Sequence, residues 1–147
     1  MLELINEHPN LADYLKDDPV RPHIPLHWRI SKGREVYGLF EDELPRVIKA
    51  IICVAYTRGI GIEERDLNNI EDADTAMFYT VWSYNKGAGR EIVLATQKHI
   101  QETKKGIFRY ATLSPLTVMA ERFHLRNGAN FVRKGKKCQN FEYPIQS

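Results

Sequence analysis

Residues 108–129 read Phe108-Arg-Tyr-Ala-Thr-Leu-Ser-Pro-Leu-Thr-Val-Met-Ala-Glu-Arg-Phe-His-Leu-Arg-Asn-Gly-Ala129. The spacing predicts a short strand, Ile107–Thr112, then a sharp junction, then a helix over 115–127. Ser114 suits the N-cap and Pro115 the first helical position, where the missing N–H costs nothing. Asn127-Gly128 supplies a left-handed stop. The stretch therefore couples strand to helix and carries Ser114 and His124, two residue types that do chemistry. On one straight helix ten residues of rise would hold them roughly 15 Å apart, too far for a direct nucleophile–base contact. Ser114 as a helix cap alone and His124 as a cation at a helix C-terminus remain sufficient explanations of both.

Working outward, Arg34–Phe40 alternates as a strand, and Val47–Thr57 is nearly continuous and β-branched, as for a buried central strand. Ala73–Ser83 is a third strand rich in aromatic and β-branched residues. A glycine loop follows, then a helix from about Gly89 to Lys104. Two short strands, about 129–133 and 139–144, close the chain. Before the first strand, residues 1–18 hold one short helical pattern with Asn10 as its N-cap, and the proline-rich 19–28 reads as a loop. Residues 61–74 read as a solvated acidic loop. Hairpins followed by strand–helix–strand–helix predict an α+β fold, a mixed sheet with helices on its faces.

The chain has 147 residues, is 43% hydrophobic and 27% charged, and has a net charge of +2. That suits a single domain over 1–147 and excludes a disordered chain. The mild charge balance argues against nucleic acid as a partner. Arg126, Arg133, Lys134, Lys136 and Lys137 make a basic end suited to a small phosphorylated ligand. Cys53 and Cys138 form no CxxC pair, no apolar run approaches a membrane span, and the N-terminus is too polar for a signal peptide, so a cytoplasmic location is expected. His23 and His27 flank Pro25 without converging ligands, and no metal site is expected.

Tyr84-Asn85-Lys86-Gly87-Ala88-Gly89-Arg90 lies between a strand and a helix. Its glycines let backbone amides approach an anion, the helix start adds its positive dipole end, and Lys86 and Arg90 add charge. This run resembles the pyrophosphate loop of the GNAT acyltransferases, Q/R-x-x-G-x-G/A, with Tyr84 at the Gln/Arg position. The resemblance implies a GNAT-like fold, coenzyme A or acyl-CoA as the bound substrate, and a pantetheine arm bonded by the backbone of Tyr79, Val81 and Ser83. Asn85, Lys86, Gly87, Ala88, Gly89 and Arg90 would then hold the phosphates.

Over residues 47–144 the chain resembles the malonyl-CoA decarboxylase catalytic domain more specifically. Phe78-Tyr79, Thr112-Leu113-Ser114-Pro115, Phe123-His124-Leu125-Arg126-Asn127-Gly128-Ala129 and Asn140-Phe141-Glu142-Tyr143 occur in that order. The resemblance implies Ser114 and His124 as catalytic residues. That family has a large helical N-terminal domain without a counterpart in these residues, and a long insertion where nine residues separate Ser114 from His124 here. In ordinary GNAT enzymes a tyrosine at the position of His124 protonates the departing thiolate, a role that an imidazolium near neutral pH could fill. Three functions follow as expectations: a malonyl-CoA-decarboxylase-like enzyme, an amine N-acetyltransferase using acetyl-CoA, or a non-catalytic CoA-binding module. For amine transfer Glu35 and Glu41 are the weak candidate bases. GNAT-like domains often pair, which makes a homodimer a candidate state.

Overall fold

The computed structural model describes residues 1–147. One eight-stranded sheet runs through it. Strands β1 (Leu2–Leu4), β2 (Arg34–Phe40), β3 (Ile48–Thr57) and β4 (Thr75–Ser83) pair antiparallel in that order. β5 (Arg109–Thr112) then joins β4 in parallel. β8 (Cys138–Tyr143) pairs with β5 through Tyr110–Tyr143, and with the two-residue β6 (Ser114–Pro115) further along the same edge. β7 (Asn130–Lys134) lines its other edge. The parallel step requires a crossover, supplied by helix α3 (Ala88–Thr103).

Each face of the sheet carries its own core. Helix α3 buries Ile92, Val93 and Ile100 against Ile52, Val54, Ala76 and Phe78. On the opposite face the N-terminal segment folds back, with α1 (Leu11–Leu15) and a one-turn α2 (Leu26–Arg29), and packs Ile5, Leu11, Leu15 and Ile24 on Val36, Ile51, Cys53 and Met77. The near-continuous apolar run of β3 follows from this, since both of its faces are covered. The observed architecture is the expected α+β mixed sheet flanked by helices. No helix is long and apolar enough to cross a membrane.

Three details depart from the sequence reading. β1 was not expected, being too short for a period. A one-turn α2 interrupts the 19–28 loop, and a 3-10 turn over Glu64–Asn68 interrupts the acidic one, its capping box formed by Glu63 and Asp66. The third concerns the opening stretch. Ser114 does not cap a helix: it is an extended, buried residue of β6, and helix α4 (Val118–Arg126) begins only after Thr117, whose side chain accepts from the Ala120 amide at 3.1 Å. The side-chain amide of Gln139, on β8, donates to the carbonyls of Pro115 (2.9 Å) and Thr117 (3.2 Å) and holds this segment out of the helix.

Candidate active site

β4 and β5 run side by side only as far as Phe78 and Thr112, where the Leu113 amide makes a last bond to the Phe78 carbonyl at 3.0 Å. Beyond that rung β4 continues to Ser83 paired with β3 alone, while the chain after Leu113 follows β8. The strands splay apart. A bulge lies at the branch: Cys53 faces Thr80 and Val54 faces Phe78, so Tyr79 is the extra residue, and such bulges bend a strand and increase its twist.

The splay opens into a cleft of about 640 Å³. Residues 78–83 form one wall, residues 113–117 and helix α4 another, and Pro19 and Val20 a third. Ser114 and His124 both line it. The 15 Å separation expected on one helix does not apply, because the two residues sit on different elements, strand and helix.

His124 is 6% exposed, stacked on Phe141 with ring centroids 5.5 Å apart. Its Nδ1 lies 2.7 Å from the Tyr143 hydroxyl, which also receives a long 3.5 Å contact from the Asn127 side-chain amide. The assignment that leaves no buried donor idle sends the Tyr143 proton to Nδ1 and puts the ring proton on Nε2. Nε2 makes no protein hydrogen bond and is not sealed from solvent. Burial lowers the pKa of the ring to about 4. His124 is therefore neutral at pH 7, which corrects the imidazolium expected from sequence. Burial also pushes the Tyr143 phenol up to about 12, against the smaller opposing effects of Asn127 and the Arg90 charge.

Ser114 has a parallel arrangement. Its Oγ lies 2.7 Å from Thr112 Oγ1, which already accepts from the Phe141 amide at 3.1 Å. With Ser114 the remaining partner of Thr112, the Thr112 hydroxyl donates to Ser114 and frees the serine proton for the cleft. Two neutral donors, each oriented by a buried hydroxyl, thus face one cavity.

The glycine loop stands at the start of α3. Gly87 is the N-cap at φ +83°, a conformation that glycine adopts without strain, and no side chain caps the helix. The amides of Lys86, Gly87, Gly89 and Arg90 have no acceptor in the protein, while that of Ala88 bonds the Asn85 carbonyl at 3.2 Å. A Cβ on Gly89 would stand 3.3 Å from the Phe123 ring, so glycine there lets α3 approach α4. Arg90 reaches the Arg126 carbonyl at 3.3 Å and is partly committed to the end of α4. The Tyr84 hydroxyl bonds Asp17 at 2.7 Å and receives Trp82 Nε1 at 3.1 Å.

On β4, Thr80, Val81, Trp82 and Ser83 line the cleft together with Tyr79, but the Tyr79 carbonyl is taken by Arg21 Nη1. The segment carrying Val20 and Arg21 is fixed by Asp18. Asp18 Oδ1 accepts from the amides of Val20 (2.8 Å) and Arg21 (2.9 Å) and from Thr80 Oγ1 (2.9 Å), while Oδ2 pairs with the fully buried Arg29 at 2.8 Å. Sequence reasoning missed Thr112, Tyr143, Asp18 and Arg21 as site residues. Thr112 and Tyr143 stood in the quoted motifs without a role, whereas nothing local ties Asp18 or Arg21 to β4, since Thr80 and Tyr79 lie about sixty positions away. His23 pairs with Glu64 at 2.6 Å on the surface, and no group of three His, Cys, Asp or Glu side chains converges as metal ligands would.

No protein-family model and no curated protein sequence matches the chain. Solved structures do. The malonyl-CoA decarboxylase of Agrobacterium vitis superposes with a TM-score of 0.79 at 16% identity, covering 99% of this chain and 60% of the other. That of Rhodopseudomonas palustris gives 0.77 at 17%, with coverage of 99% and 60%. A Bacillus subtilis acetyltransferase in complex with CoA gives 0.64 at 12%, with coverage of 99% and 98%. The fold is GNAT-like. The chain spans about three fifths of the length of these two decarboxylases.

Proposed function

We propose that this chain binds an acyl-CoA thioester in the splay between β4 and β5 and catalyses decarboxylation of a malonyl-CoA-type substrate. The observation that carries the reading is the convergence of Ser114 and His124 on one cleft, each in hydrogen-bond contact with a buried hydroxyl. The open amides of Lys86, Gly87, Gly89 and Arg90 suit a pyrophosphate at the start of α3, and the one-sided pairing of β4 beyond Phe78 leaves backbone for a pantetheine arm.

In this mechanism the bond between C2 and the carboxyl carbon breaks, and its electron pair moves into the thioester to form an enolate. The Ser114 hydroxyl donates to the oxygen where charge develops, in surroundings that strengthen the bond. His124 Nε2–H delivers the proton to C2, and the Tyr143 proton follows into Nδ1. The charge left behind rests on a tyrosinate, eased by Asn127 and Arg90, rather than on an imidazolate ring. His124 thus remains the general acid while staying neutral, as a polarising neutral imidazole does elsewhere.

Amine acyl transfer is less well supported. It needs a base, and no Asp or Glu lines the cleft. Glu35 accepts from the hydroxyls of Tyr37 (2.9 Å) and Tyr56 (2.5 Å), on the sheet face covered by α3.

The test is to incubate the protein with malonyl-CoA and follow acetyl-CoA by chromatography, alongside calorimetric titration with CoA. Acetyl-CoA from the wild type and its loss in His124→Ala are expected. Free thiol that appears only when an amine is added would establish transfer instead. Binding without turnover of any thioester would leave a CoA-binding module, and failure to bind CoA would overturn the reading altogether.

A further inference from the structure

The cleft around Ser114 and His124 is lined by seventeen residues, and none is Lys, Arg, Asp or Glu. Away from β4 its lining is largely apolar, with Val20, Leu113, Pro115, Ala120 and Phe123 around Ser114, Thr117 and His124. The nearest buried cations are already neutralised. Arg29 is paired with Asp18 at 2.8 Å and spends its other donors on the Ile24 and Arg21 carbonyls. Arg21 lies beside Tyr79, paired with Glu64 at 3.3 Å and bonded to the Tyr79 carbonyl. Neither guanidinium lines the cavity. Lys86 and Arg90 do not line it either and belong to the loop at the start of α3. A site evolved to grip a free carboxylate would ordinarily present an arginine fork. This one presents hydrocarbon and neutral polar groups only, the Ser114 hydroxyl and the His124 ring among them.

Resting on the acyl-CoA reading above, we propose that the cleft holds the substrate carboxylate without a counter-ion, and that this unpaired, desolvated charge is what favours loss of carbon dioxide. A carboxylate moved from water into uncharged surroundings is destabilised. Breaking its bond to C2 releases neutral carbon dioxide and shifts the negative charge to the thioester oxygen, where the Ser114 hydroxyl awaits it. C2 then takes a proton from His124, so charge and atoms balance. The pocket therefore discriminates against the ground state of the group that leaves while favouring the charge that forms. An acyl-CoA carrying a stable distal carboxylate is a poor ligand here, and a neutral acyl group of the same length is a good one.

The experiment separates binding from chemistry. Succinyl-CoA and butyryl-CoA match in chain length, and neither can lose carbon dioxide through a thioester enolate. Competition against CoA should place succinyl-CoA about tenfold or more weaker than butyryl-CoA on the wild type. A cation added to the wall by Val20→Lys, or independently by Ala120→Lys, should reverse that order. The same variants should bind malonyl-CoA more tightly but turn it over about tenfold more slowly, because the lysine stabilises the reactant carboxylate. Agreement between the two variants guards against a local folding defect in either. Equal or tighter binding of succinyl-CoA by the wild type overturns the inference. So does a rise in turnover with the added lysine, or binding of malonyl-CoA by the wild type without acetyl-CoA release. If CoA itself fails to bind, the acyl-CoA reading has failed, and the inference falls with it.

Discussion

Replacing His124 with glutamine should flatten the acid side of the stability curve. In the folded protein the buried ring titrates at about 4, against 6.5 for the free side chain. That gap corresponds to about 3 kcal/mol when fully expressed. The sign follows from proton counting: between pH 6.5 and 4 the unfolded chain binds the proton and the folded chain does not. Stability is thus intact above pH 6.5 and falls as the pH drops toward 4. At pH 5 the unfolded state is favoured about thirtyfold by this one site, so the wild type loses about 2 kcal/mol relative to pH 7. For a chain of this size that corresponds to a midpoint lower by about 4–8 °C. Glutamine carries no such proton. Asp66 and Asp74, whose carboxyls are held low by backbone amides of Glu63 and Gly59, titrate alike in both proteins and cancel in the difference. Urea unfolding at several pH values between 4 and 8 would provide the comparison. Parallel curves for wild type and H124Q would refute the argument, as would an imidazole resonance that titrates near 6.5 in the native protein.

Tyr143→Phe removes the donor to Nδ1 while keeping the ring, and turnover should fall about 100-fold with CoA affinity unchanged; steady-state kinetics beside calorimetry would show the split between kcat and KM. Asp18→Ala strands the guanidinium of Arg29 in the interior, and chemical unfolding should register a loss of about 3–5 kcal/mol. Gly87→Ala meets no neighbour but must hold φ at +83°, so it should cost about 1 kcal/mol in thermal unfolding. Gly89→Ala has ordinary helical surroundings but faces Phe123, and it should weaken CoA binding more than it lowers the melting point.

The sheet was legible because its strands carry the signals of burial. The run Val-Ile-Lys-Ala-Ile-Ile-Cys-Val-Ala-Tyr-Thr has almost no polar break, and β3 is covered on both faces. The glycine loop was legible for a similarly local reason, a left-handed residue directly before a helix. The serine was not. Ser114-Pro115 satisfies every local rule for a helix start, yet Thr117 three positions on satisfies the capping rule too, and the sequence contains no preference between them. The choice is made by the Gln139 amide from another strand, a tertiary effect overriding a local one. The charge state of His124 was hidden in the same way. Its helix-end position suggests a stabilised cation, whereas the packing of Phe141 and Tyr143 from the last strand removes the water that a cation needs.

The loop carrying Pro19 and Val20 has a wider consequence. It forms a wall of the cleft yet contributes nothing to the sheet, and Asp18 and Arg21 fasten it to β4 through only the Thr80 hydroxyl and the Tyr79 carbonyl. The shape of the cleft and the placement of Ser114 and His124 are therefore encoded in separable parts of the gene. Changes at positions 19 and 20 can reshape what the pocket admits while Ser114, His124 and the strands that hold them stay in place, so a descendant could drift to a differently shaped ligand without rebuilding the sheet.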